Sequence, residues 1–125
     1  MDKELKNLIL SDLGRLGIKR LPILGAFGLP PQVRYLILWR KSAYYYKKGG
    51  ILRKWYGFKL DRAMNRTQIT FPREVKAGSG IYIGHFGRLI IHPDVTLGNN
   101  INIATGVTIG QSNRGERKGT PVIGN

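Results

Sequence analysis

Apolar positions follow two different rhythms along the chain. In the first part Leu5, Leu8, Ile9, Leu13 and Leu16 recur three and four residues apart with Gly17 as a stop, so residues 3 to 16 are predicted as a helix. Pro30 and Pro31 suit the first turn of a second helix that runs to about Lys48 and ends at Gly49 and Gly50. On a helical wheel Arg34, Arg40, Lys41, Lys47 and Lys48 fall on one side of it. Tyr35, Leu36, Leu38, Trp39, Ala43 and Tyr46 lie mainly opposite, which makes this helix basic and amphipathic. A third helical piece is expected from Ile51 to about Leu60, weakened by Gly57.

From residue 75 the rhythm changes. Branched apolar residues come in pairs two apart, and the pairs return every six residues, as in Val95 with Leu97, Ile101 with Ile103 and Val107 with Ile109. Upstream stand Val75 with Ala77, Ile81 with Ile83 and Leu89 with Ile91, while Pro121 and Ile123 resume the pattern after an inserted loop at 111–120. A period of six matches neither a helix nor a hairpin. Branched residues inward with Gly, Asn or Asp at the corners mark a parallel β-helix, in which each hexad makes one short strand and one turn. The predicted fold class is α+β, with a helical region at 1–68 followed by a hexapeptide-repeat solenoid at 69–125. The repeat stops at Asn125 in mid-pattern, so the solenoid is expected to be truncated at its C-terminus.

Composition narrows the chemistry. The 125 residues include 21 Lys plus Arg, 7 Asp plus Glu and no Cys, for a formal charge of +14. Disulfide scaffolds, thiol nucleophiles and cysteine metal sites are therefore excluded. Two histidines without clustered acids supply no metal ligand set. Residues 1–68 hold 15 basic and 4 acidic side chains and residues 69–125 hold 6 and 3, so the charge excess sits in the helical region. That region either docks on an anionic membrane face or acidic polymer, or caps the solenoid with its aromatics and leaves its charges in solvent. Nucleic acid is disfavoured as a partner because no recognised reading module accompanies the charge. No apolar run approaches the ~18 residues of a membrane span. With no signal-peptide pattern in Met1 to Lys6 either, the expected location is cytoplasmic, with peripheral contact at the inner membrane face.

The segments Ile81-Tyr-Ile-Gly-His85-Phe-Gly, Val95-Thr-Leu-Gly-Asn-Asn through Ile109-Gly110, and Thr120-Pro-Val-Ile-Gly124 resemble the hexapeptide-repeat acyltransferases. The likeness is to the serine O-acetyltransferase group and its relatives that acetylate sugar hydroxyls in capsule or exopolysaccharide synthesis. Ser11-Asp-Leu-Gly-Arg15 and Arg34 to Arg40 resemble that group's helical N-terminal region. The resemblance implies a left-handed parallel β-helix, homotrimers and acetyl-CoA bound between neighbouring prisms as co-substrate. It also implies that His85 is the general base that takes the proton of an acceptor hydroxyl. Gly110 is an implied contact to acyl-CoA, and in the inserted loop Arg114, Arg117 and Lys118 are the implied contacts to its phosphates. His92, in Ile91-His92-Pro93-Asp94, has no counterpart there and is expected to be structural.

The chain departs from authentic serine acetyltransferases at three positions. Gly84 and Ile69 stand where that group has aspartates, and Thr120 stands where it has a second histidine. Single-histidine members acting on sugars are the nearer analogy, so the expected activity is acetyl transfer to a hydroxyl of a sugar or glycan precursor. The alternatives are a serine O-acetyltransferase of cysteine biosynthesis and a truncated, non-catalytic solenoid used for subunit or membrane association.

Overall fold

A computed structural model describes residues 2–22, 28–85, 87–110 and 119–125. Among them are three helices followed by eight short strands: α1 (Lys3–Gly14), α2 (Pro31–Lys48), α3 (Ile51–Thr67), β1 (Ile69–Thr70), β2 (Lys76–Ala77), β3 (Tyr82–Ile83), β4 (Leu89–Ile91), β5 (Thr96–Leu97), β6 (Asn102–Ile103), β7 (Thr108–Ile109) and β8 (Val122–Ile123). Asp2 caps α1 by accepting the Glu4 and Leu5 amides at 2.9 and 3.4 Å. The helix ends two residues earlier than its apolar rhythm suggests. The Ile18 amide closes back on the Leu13 carbonyl at 3.1 Å and satisfies an end group of the last turn. The second helix has the expected bounds, and α3 runs a further two turns beyond Leu60.

Gly57 does not break the helix. A Cβ there would lie 2.5 Å from the Arg73 guanidinium, which crosses the helix at this point and donates to the Arg53 carbonyl at 2.7 Å. The glycine thus marks the close approach of another segment, not a helix break.

The strands form three parallel ladders, β1-β4-β7, β2-β5-β8 and β3-β6, which wrap the chain into a three-sided prism. Its corners follow the first, second and third ladders in turn. Ile69 pairs with Leu89, Lys76 with Thr96 and Tyr82 with Asn102, each 20 positions on. Ile90 pairs with Thr108 after only 18, the length of three hexads. Inside, Val75, Ile81, Ile83, Leu89, Ile91, Val95, Leu97 and Ile103 form the expected apolar ladder, while Ile109 and Ile123 are only partly buried and Pro121 is exposed. The prism begins one pair earlier than the hexads reveal, with Ile69 and Phe71 fully buried.

Helices and prism share one core. Tyr35, Leu36 and Trp39 of α2 and Leu60 and Ala63 of α3 pack with Ile69, Phe71 and the ladder residues. The Tyr35 hydroxyl donates to the Phe71 carbonyl at 2.8 Å and accepts the Phe71 amide at 3.2 Å, and the Trp39 indole donates to the Pro72 carbonyl at 2.8 Å. The apolar side of α2 is therefore the cap on the prism. Arg40 does not join its solvent-facing cations. It is buried against Asp12 of α1, because paired charge and hydrogen bonds offset the loss of water.

Candidate functional site

The corner that carries His85 is enlarged. Between Ile83 and Leu89 stand five residues, 84–88, whereas the stacked corner one coil later, between Ile103 and Val107, has three, 104–106. Those two extra residues are the source of the 20-residue spacing in the first coil. They carry His85 outward, where its side chain is exposed. The corner is held from both ends. The Gly106 amide donates to the Arg88 carbonyl at 2.7 Å, and the Thr105 hydroxyl approaches the His85 carbonyl at 3.5 Å. Gly87 has φ 156°, and a Cβ there would collide with the Thr105 methyl group, so the stack admits only glycine without rearrangement.

Tyr82 packs beside the residue that precedes the histidine. Its ring lies 3.1 Å from where a Cβ of Gly84 would be, so a side chain there would need the phenol to shift by a few tenths of an ångström. The Arg15 guanidinium sits 5.5 Å over the same ring, donates to the Gly80 carbonyl at 2.9 Å and reaches the side-chain oxygen of Asn102. Arg15, Tyr82 and Asn102 thus form a polar outer face on the third ladder, leading to the His85 corner. All three stand in segments that carry the family likeness, with no role attached to them there. The signal of Tyr82 and Asn102 was being the outward members of hexads.

The helices bind the prism one corner earlier. Asp12 accepts the Ile81 amide at 2.8 Å, Arg40 donates to the Gly78 carbonyl at 2.7 Å, and the Ser11 hydroxyl accepts the Gly80 amide at 3.1 Å. Residues 11–15 are therefore a clamp on the turn that feeds β3 and, three residues later, His85.

His92 occupies the first corner. Its Nδ1 accepts the Asp94 amide at 3.1 Å and its carbonyl accepts the Val95 amide at 3.1 Å, which makes it a turn-forming residue. Directly above, the His92 amide donates to the Ile109 carbonyl at 2.8 Å and the Thr120 hydroxyl donates to the Asp94 carbonyl at 3.0 Å, so the stems of the inserted loop stack on this corner. His85 and the loop stems are thus on different corners of one chain, not side by side. Gly110 is exposed at the start of the loop. Arg114, Arg117 and Lys118 lie outside the described residues. Among the described residues no cluster of three or more His, Asp or Glu could hold a metal ion.

No protein-family model and no curated protein matches the chain. Solved structures do. The chain superposes on serine acetyltransferase from Neisseria gonorrhoeae in complex with serine with a TM-score of 0.75 at 22% identity, covering 99% of this chain and 51% of that one. The soybean enzyme complexed with serine gives 0.74 at 20% identity, with 98% and 51% covered. The enzyme from Brucella abortus gives 0.73 at 20%, with 98% and 50% covered. The chain spans about half the length of these structures. Three helices followed by a parallel three-sided coil are the serine acetyltransferase form of the left-handed β-helix, and this chain has that fold.

Proposed function

We propose that the chain, alone or within a longer polypeptide, belongs to an acetyl-CoA-dependent O-acetyltransferase with His85 as general base. The observation that carries this reading is the enlarged corner at 84–88, which projects an imidazole from an otherwise regular coil of the acetyltransferase fold. In the proposed reaction His85 takes the proton of an acceptor hydroxyl as that oxygen attacks the thioester carbonyl. The C–S bond then breaks and the proton passes to the departing CoA thiolate. Gly110 is a proposed contact to acyl-CoA, and Arg114, Arg117 and Lys118 are the proposed contacts to its phosphates. Because His85 and the loop stems occupy different corners, a neighbouring copy supplying its own loop, as in a trimer, would complete the site.

The proposed acceptor is a sugar or glycan hydroxyl. Gly84 offers no carboxylate before the histidine, Ile69 is buried in the core, and Thr120 is engaged with Asp94. Serine is the second reading, favoured by the solved structures of similar fold that hold it. Transfer from acetyl-CoA to a panel of mono- and oligosaccharides, with L-serine alongside, separates the two. Acetylation of a glycan with L-serine unreacted is expected. Turnover of L-serine alone would establish the second reading, and no transfer to any hydroxyl would remove both.

A further inference from the structure

The helix with the most exposed apolar surface is α3. It packs inward through Gly57, Leu60 and Ala63, while its other side leaves Ile51 85% exposed, Trp55 53% and Phe58 56%. At 100° per residue Ile51, Trp55, Phe58 and Arg62 fall within an arc of about 60°, opposite the buried stripe. A strip of this kind on one helix calls for a covering surface.

Charge selects the surface. The helix carries Arg53, Lys54, Lys59, Arg62 and Arg66 against Asp61, and Lys47 and Lys48 end the preceding helix. A second copy packed face to face would bring these like charges together. An acidic polymer would neutralise them but leave Ile51, Trp55 and Phe58 in water. An anionic bilayer meets both requirements, with apolar side chains entering the headgroup boundary and cations at the phosphates. The cations are already placed for this. Lys59 lies 5.7 Å over the Trp55 ring and Arg62 5.8 Å over the Phe58 ring, so their stems follow the aromatic strip. No described helix is long and apolar enough to cross a membrane, so contact would be in the plane of the surface.

We propose that α3 docks flat on an anionic lipid surface through Ile51, Trp55 and Phe58, flanked by Lys54, Lys59 and Arg62. This places the docking expected of the basic region on α3, since the apolar side of α2 is occupied by the core. It is also independent of any catalytic role of His85.

Flotation with phosphatidylcholine vesicles, with and without phosphatidylglycerol, tests the proposal. Binding is expected only with phosphatidylglycerol present and should weaken with added salt. Trp39 is buried, so a blue shift in tryptophan emission on binding should vanish in Trp55→Phe. Trp55→Ser with Phe58→Ser, and separately Lys54→Glu with Arg62→Glu, should each weaken binding about tenfold or more while leaving circular dichroism unchanged. Equal binding to neutral vesicles, no binding, or binding unaffected by both double variants would overturn the proposal. So would concentration-dependent dimerisation abolished by Trp55→Ser with Phe58→Ser, which would assign the strip to a second copy.

Discussion

Arg40 and Asp12 form a two-point ion pair, 2.6 Å from Nε to Oδ2 and 2.9 Å from Nη2 to Oδ1, with each side chain only 4% exposed. The pair joins α1 to α2, and through the Gly78 carbonyl and Ile81 amide it joins both to the turn entering β3. Removing either charge strands the other in the core. Asp12→Asn or Arg40→Met is therefore expected to cost about 3 to 5 kcal/mol, whereas Asp12→Leu combined with Arg40→Met recovers a large part of the loss. Denaturant unfolding of the three variants provides the check. A single variant as stable as the parent would show that the pair does not anchor the helices.

Tyr35 gives the protein an alkaline limit. Burial is the larger cause holding its phenol protonated well above the usual tyrosine range, and the hydrogen bond to Phe71 works the other way. Below pH ~10 the side chain is neutral whether folded or unfolded, so its contribution is fully present. Above that the unfolded chain ionises first, and stability falls by up to ~1.4 kcal/mol per pH unit until the folded-state ionisation is reached. Tyr35→Phe should remove this part of the alkaline slope. At neutral pH it should cost about 1 to 3 kcal/mol by leaving the buried Phe71 peptide groups without their partner. Unfolding free energies of parent and variant from pH 7 to 11 test both effects, and parallel curves would contradict the assignment.

Gly87→Ala should disturb the His85 corner specifically. The substitution forces a side chain into an unfavourable φ and against the Thr105 methyl group, at a cost of about 1 to 3 kcal/mol. Pairing it with Thr105→Ser, which deletes that methyl group, should recover part of the stability. Thermal melts decide the matter, and a Gly87→Ala protein as stable as the parent would show that the corner relaxes freely.

Much of the prism was legible because its hexads repeat one simple rule: a pair of mostly branched apolar residues two apart pointing inward and a small or amide residue at the turn. Ile69 and Phe71 escaped the pair pattern because an aromatic residue takes the inward place, where it meets the Trp39 ring edge-on at 4.4 Å. Contacts distant in sequence were not legible. Arg40 reads as one more surface cation until Asp12, 28 residues away, is seen beside it. Gly57 reads as a helix breaker until Arg73 fills the space above it. His85 stands out by its motif alone, whereas the Tyr82 ring against Gly84 depends on how the corner folds. The placing of His85 and the loop stems on separate corners was not legible for a related reason. Hexad spacing gives the order of the corners, yet two residues added at 84–88 and the long loop after β7 belong to different ones.

The most direct measurement of the central claim is the rate of acetyl transfer from acetyl-CoA by the protein carrying this chain, compared between the parent, His85→Ala and His92→Ala, each with an unchanged circular dichroism spectrum. Loss of the general base predicts a fall of about 10² to 10⁴ in His85→Ala. His92→Ala loses only a turn hydrogen bond and should keep nearly full turnover. Near-parental turnover in His85→Ala, or an equal loss in His92→Ala, would contradict the account.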